Sequence, residues 1–243
     1  MQKMLLTALF MLNSLAYAGY TNDELQKMFP NVRCSFTPSQ YEQILMTTLR
    51  DRTTSIKEYR SAAYKIGALL VNKVVDCLPN TTKDIQTPLE PFIGRVLPKR
   101  IELVSIMRSG DALLESFIEH FPEAPISKIL VQRDEETAKP HFKYMKLSPT
   151  IAHNASVIIT EPMLATGGTL DTVLLQLIKK GVLEENIIVA SVCVAPEGLS
   201  VLRDKYPRVQ VVVNVVDDRL NEKKYIVPGL GDFGDRYFGT EGK

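Results

Sequence analysis

An acidic side chain at the end of a short apolar run, followed closely by Thr-Gly-Gly-Thr, is the pattern in this chain best suited to chemistry. It lies in residues 156–180, SVIITEPMLATGGTLDTVLLQLIKK. The run SVIIT reads as a buried strand, Glu161 follows it, and apolar residues return at helical spacing at Val173, Leu174, Leu177 and Ile178. A glycine-bearing turn at a helix N-terminus offers free N–H groups and the positive end of the helix dipole to an anion. Gly167 and Gly168 let a phosphate approach the main chain, and Thr166 and Thr169 add hydroxyl donors. Glu161 is placed to accept hydrogen bonds from ribose hydroxyls. A phosphate cradle beside a sugar-binding carboxylate suits a ribose-5-phosphate group. The chain has no Gly-x-x-x-x-Gly-Lys, and no Gly-x-Gly-x-x-Gly directly follows one of the apolar runs that read as strands, which argues against a triphosphate loop and a dinucleotide fingerprint. Taken alone, Thr-Gly-Gly also fits a βα turn that needs glycine only for its backbone.

Holding these groups in place takes strands that end at the site and helices that begin there. The apolar runs IELVSIM, KILVQ, SVIIT, NIIVASVCV and VQVVVNVV read as strands, and their near-continuous hydrophobicity implies burial on both faces. Helical patterns cover 112–120, 170–180 and 198–205, and two further helices within 39–75 split near 51–55. Between Arg133 and Leu147, polar turn residues give way to Phe142, Tyr144 and Met145, which reads as a projecting β-hairpin arm. The expected fold is α/β, an open doubly wound, mostly parallel sheet with flanking helices and its ligand site at the strands' carboxyl ends. With 243 residues, 45% hydrophobic and a net charge of +1, the chain suits one domain with a substantial core. The neutral balance argues against nucleic acid or an anionic membrane as partner, and no stable membrane association is expected. Arg108 ends the strand IELVSIM before Ser109-Gly110, so its side chain and backbone can both face the site; the alternative is a strand-end arginine reaching to solvent. Arg133 heads the DEET turn, with surface pairing to Asp134 or Glu135 as its alternative. Pro228, Gly229, Gly231 and Gly234 crowd a short stretch that would be costly without a special backbone path.

Several stretches, in order along the chain, resemble the uracil phosphoribosyltransferase family of type I phosphoribosyltransferases. EPMLATGGT resembles that family's loop for phosphoribosyl pyrophosphate (PRPP), normally DPMLATGGS, and YIVPGLGDFGDRYFGT is similar to its C-terminal signature. VSIMRSGDAL around Arg108 and ILVQRDEET around Arg133 resemble its first and second active-site loops. APEGLSVLRDKYP, VVDDRLNEKKY and, more weakly, LRDRTTSIKEYR also fit, so that the resemblance runs from about Asn31 to Gly239. It implies transfer of 5-phosphoribosyl from PRPP to uracil, giving UMP and pyrophosphate in pyrimidine salvage. It also implies a C-terminal base-binding loop. Carried over residue by residue, PRPP contacts fall on Arg108, Arg133, Glu161, Pro162, Met163, Leu164, Ala165, Thr166, Gly167, Gly168, Thr169 and Asp232. Arg108, Arg133 and Asp232 take the catalytic roles; Ile226, Gly231, Asp232 and Phe233 take uracil. The resemblance further implies Mg2+ held mainly by substrate oxygens and water, with no dedicated metal site. GTP as an activator and a homo-oligomer, dimer or tetramer, complete what it implies. His120, His141 and His153 lie outside the motifs, so none is favoured as acid or base.

Glu161 stands where the family has Asp, adding one methylene at the ribose contact, with Ser109 for Ala and Thr169 for Ser as milder departures. Two other functions stay open: a catalytically weak PRPP- or UMP-binding sensor or interaction module of the same fold, and phosphoribosyl transfer to another base. The N-terminus raises a separate conflict. Residues 1–18 carry Lys3, an apolar stretch from Met4 to Leu12 and Ala16-Tyr17-Ala18, the layout of a cleavable secretory signal, which leaves 19–243 as the phosphoribosyltransferase domain. Cys34, Cys77 and Cys193 show no pairing pattern, and PRPP is a cytosolic metabolite. Those two considerations favour a cytoplasmic protein over an exported one. Cys193, in IIVASVCV, reads as a buried core thiol.

Overall fold

The structure is a computed structural model that describes residues 22–34, 38–133, 140–152 and 154–240. The signal-like segment 1–18, the turn residues 134–139 and His153 lie outside the described residues. The chain opens with α1 (Asn22–Met28), β1 (Val32–Cys34), α2 (Gln40–Arg50) and α3 (Ile56–Cys77). The break between α2 and α3 falls where polar residues interrupt the apolar spacing, and both helices start on a capping box, Ser39 with Glu42 and Ser55 with Glu58. A hairpin of β2 (Thr81–Gln86) and β3 (Pro91–Val96) follows. Then come β4 (Ile101–Met107), α4 (Asp111–His120), β5 (Ile126–Arg133), β6 (Pro140–Lys146), β7 (Ser156–Thr160) and β8 (Met163–Leu164). The chain continues through α5 (Gly168–Lys179), β9 (Ile187–Val194), α6 (Pro196–Lys205), β10 (Gln210–Val216), β11 (Arg219–Leu220), β12 (Ile226–Val227) and α7 (Phe233–Phe238).

The main sheet runs β1-β10-β9-β7-β4-β5-β6, with β8 added on β9. All its pairings are parallel except β5 with β6. Successive strand side chains point to opposite faces, so the buried residues divide into two cores. Leu103, Ile158 and Val212 pack with α2, α3 and α4 through Leu49, Ile66, Leu70 and Phe117. Val104, Ile106, Val157 and Ile159 pack with α5 and α6 through Val173, Leu177 and Leu202. Helices thus cover both faces, as the doubly wound reading requires. From β4 the chain adds β5 on one side, then returns to the other side for β7, β9 and β10. The strand order therefore reverses between β4 and β7, and a crevice opens at their carboxyl ends.

One expectation needs correction. The hairpin between Arg133 and Leu147 does not project: β6 pairs along β5 and forms the edge of the main sheet. The hairpin that stands apart is β2–β3, a separate two-stranded sheet whose Leu89, Phe92 and Ile93 are exposed. Its sequence, TTKDIQTPLEPFIGRV, lacks the sustained alternation that marks a half-buried strand.

Candidate active site

Pairing of Ser105 with Thr160 brings the ends of β4 and β7 side by side, so Arg108-Ser109-Gly110 and Glu161 face one another. The Thr160 hydroxyl donates to the Gly110 carbonyl at 3.0 Å. Asp111, which opens α4, accepts hydrogen bonds from the Ser105 hydroxyl and the Lys128 ammonium, tying the loop to both neighbouring strands. The Met107–Arg108 peptide is cis. Glu161 is only 7% exposed; its N–H donates to the Ala190 carbonyl at 3.1 Å, and its Oε1 accepts from the Ser109 hydroxyl at 3.2 Å. These residues open onto a cleft of about 600 Å³.

The Thr-Gly-Gly turn forms the start of α5. Gly167 holds the left-handed φ of +81°, and a Cβ there would meet Val201 at 3.0 Å, so the position needs glycine twice over. Gly167 offers no side-chain cap to the helix, the Gly168 N–H meets the Thr166 hydroxyl only at 3.5 Å, and such a first turn suits an anion. Opposite stands the C-terminal stretch. Gly229 lies at φ +63°, where a Cβ would sit 2.1 Å from the Ile226 carbonyl oxygen. Asp232 caps α7 by accepting the Asp235 N–H at 2.8 Å. The Phe233 ring is buried edge-on against Tyr59, with centroids 5.4 Å apart, so it is the main chain of this residue that meets the cleft. Arg108 spans the two sides. Its guanidinium donates to Asp235 at 2.6 Å and to the Thr240 hydroxyl at 3.2 Å. The Thr240 hydroxyl, and then the Arg108 bond and charge, outweigh burial and hold the Asp235 carboxyl below its ordinary value.

Of the residues expected from sequence, Arg108, Glu161, Met163, Ala165, Thr169, Ile226, Gly231, Asp232 and Phe233 line the cleft. Thr166, Gly167 and Gly168 form the turn between Ala165 and Thr169. Pro162 and Leu164 do not line the cleft. Pro162 accepts the Val192 and Cys193 N–H groups at 3.0 Å, and Leu164 is buried in the core beside α5. Arg133 ends β5 just past Val131 and Gln132, which line the cleft, and its side chain lies outside the described residues. His120 contacts the Ser116 carbonyl at 2.8 Å, and neither it nor His141 lines the cleft. Cys193 is fully buried; burial first, then the charge of Asp217, pushes its thiol well up.

Sequence reading missed Leu130, Val131, Gln132, Lys224 and Tyr225 as lining residues. Lys224 and Tyr225 were within reach, since they directly precede Ile226 in the glycine-rich stretch. It also missed what stands behind the loop. Arg236, 8% exposed, donates to the carbonyls of Leu230 at 2.7 Å and Asp51 at 2.6 Å, contacts that of Leu49, and lies over the Tyr59 ring at 4.4 Å. Arg50 and Asp217 form a bidentate pair beneath Gly229. The stretch LRDRTTSIKEYR supplies Leu49, Arg50, Asp51 and Tyr59, all of them supports of the C-terminal loop.

A sequence model of the family described as "Uracil phosphoribosyltransferase" matches residues 37–240. A protein named uracil phosphoribosyltransferase from Dictyostelium discoideum is 44% identical over 198 residues, covering 81% of this chain and 91% of its own length. Uracil phosphoribosyltransferase 1 of Schizosaccharomyces pombe is 40% identical over 81% of this chain and 90% of its own. Among solved structures, the AQ2163 protein from Aquifex aeolicus is similar over 87% of this chain and all of its own, with 31% identity and a TM-score of 0.76. The adenine phosphoribosyl transferase of Trypanosoma brucei, at 15% identity and a TM-score of 0.50 over 77% of this chain and 84% of its own, shares the fold.

Proposed function

The chain belongs to the uracil phosphoribosyltransferase family, and we propose that the switch-point cleft transfers 5-phosphoribosyl from PRPP to uracil. The observation that carries this reading is the meeting of Arg108, Glu161, the residues Ala165 and Thr169 that flank the Thr-Gly-Gly turn, and the glycine-rich C-terminal loop around one cavity. In the reaction N1 of uracil bonds to C1 of the ribose, the C1–oxygen bond to pyrophosphate breaks, and N1 loses its proton. The transition state resembles an oxocarbenium ion, with negative charge growing on pyrophosphate, so the protein acts chiefly by orientation and by stabilising the leaving group. The 5-phosphate lies on the α5 turn, Glu161 accepts from the ribose hydroxyls, and Asp232 faces PRPP. Main-chain groups of Ile226, Gly231 and Phe233 match the donor and acceptors of uracil. Arg108 exchanges Asp235 for pyrophosphate, whose greater charge favours the guanidinium fork. Arg133 is assigned to the same phosphates.

Magnesium suits the hard oxygens of the two cleft carboxylates, Glu161 and Asp232. Substrate oxygens and water would supply most of its shell. Held there, magnesium would offset charge on pyrophosphate. The exposed apolar β2–β3 hairpin supports a homo-oligomer, because an isolated two-stranded hairpin is marginal in water. The function is tested by incubating the full-length protein with PRPP, magnesium and each common base, with and without GTP. UMP and equimolar pyrophosphate from uracil alone are expected. Binding of PRPP without turnover would instead favour the sensor reading, and product from another base would move the specificity.

Glu161 and Ser109, two departures from the family pattern, touch one another at 3.2 Å. The added hydroxyl steadies the longer carboxylate. Glu161→Ala is expected to weaken PRPP binding through loss of the ribose acceptor, whereas Glu161→Asp keeps or raises turnover. Calorimetric titration with PRPP decides: parent-like affinity in Glu161→Ala removes the ribose contact. For residues 1–18, we propose that a functional pool stays in the cytosol and that a protein lacking them turns over uracil like the full chain. N-terminal sequencing from the native cell checks the first point, since a mature start near Gly19 means export.

A further inference from the structure

Between Ile226 and Gly231, both assigned above to uracil, the chain makes a turn through Val227, Pro228 and Gly229, none of which lines the cleft. That turn is gripped from behind by one ion pair. Asp217, at the end of β10 and 2% exposed, accepts the Gly229 N–H at 2.8 Å through Oδ2. Arg50, the last residue of α2, donates to the Gly229 carbonyl at 2.7 Å and to Asp217 at 2.6 and 2.9 Å. The Cys193 thiol donates to the same carboxylate at 3.1 Å. Both polar groups of the Gly229 residue are therefore held by a charged partner, and the two charges hold each other in a fork.

We infer that Arg50 and Asp217 are positioning residues for base recognition, setting the Gly229 turn and hence the spacing between Ile226 and the Gly231–Phe233 main chain. The inference rests on the reading that this loop receives uracil. A site built from backbone groups has no side-chain rotamers with which to correct a displaced loop, so its donors and acceptors are only as well placed as the turn beneath them. The α5 turn, on the opposite wall, holds the phosphate independently of this pair.

Arg50→Lys is the sharper test, because it keeps a positive charge opposite buried Asp217. A single ammonium, however, cannot reach two carboxylate oxygens and the Gly229 carbonyl with the geometry of a fork. The KM for uracil is expected to rise about tenfold while the KM for PRPP stays within about twofold. Asp217→Asn is expected to raise the uracil KM further and to speed hydrogen exchange at the Gly229 amide. Should that variant fail to fold, Arg50→Lys alone decides. Equal changes in both KM values would make the pair a general support and overturn the inference, as would an unchanged uracil KM in folded variants of an active parent. A parent inert toward uracil overturns the functional reading itself and takes the inference with it.

Discussion

Replacing Arg108 with alanine is expected to lower kcat/KM for uracil and PRPP on the order of a hundredfold or more, the loss typical of removing a charge-assisted stabiliser of a developing anion. The fold is expected to survive. The Arg108 side chain is 56% exposed and its partner Asp235 33%, so the pair is solvated and contributes little to stability. Asp235 loses a neighbour but keeps the Thr240 hydroxyl at 2.7 Å. Arg108→Lys recovers only part of the activity, because an ammonium offers no planar fork to the phosphate oxygens. Steady-state kinetics beside circular dichroism read the outcome. Turnover near the parent's in a folded Arg108→Ala protein removes this residue from the mechanism.

Gly110→Ala is the second large effect, and it acts through space rather than charge. Gly110 has an ordinary φ of −59°, so backbone freedom is not what the position requires. The added methyl would lie 2.3 Å from the Thr160 carbonyl oxygen and 2.6 and 2.7 Å from the Ile106 main chain. All three are backbone atoms of the central strands and cannot rotate away. Overpacking of this kind costs about 1–3 kcal/mol, and the rigidity of the neighbours points to the upper part of that range. The loop that escapes the clash carries Arg108 and Ser109 with it, and a displacement near 1 Å at a positioning group can cost about a hundredfold in rate. Thermal unfolding and kcat together test this. A substitution that leaves melting temperature and turnover unchanged contradicts the close approach of β7 to the Arg108 loop.

The strands, the helices that follow them and the α5 turn are legible from residues alone, because their signals are local. A buried parallel strand needs an unbroken apolar run, and a phosphate turn needs its glycines and hydroxyls adjacent in the chain. Residue type and spacing suffice to mark Glu161, Thr169 and the C-terminal glycines, and they meet in one cleft because parallel strands share a carboxyl end. The β2–β3 hairpin is not legible, since neither of its faces is buried and it lacks the alternation that burial imposes. Nor is the support of the base loop. Arg50 and Asp217 are 167 residues apart, and Arg236 reaches Leu49 across 187. Charged residues so far apart carry no periodicity that links them. Sequence therefore determined which groups could do the chemistry and which elements would present them. Tertiary structure alone decided which charges would hold the loop, because an ion pair between residues so distant in the chain is specified by the packing that brings its partners together.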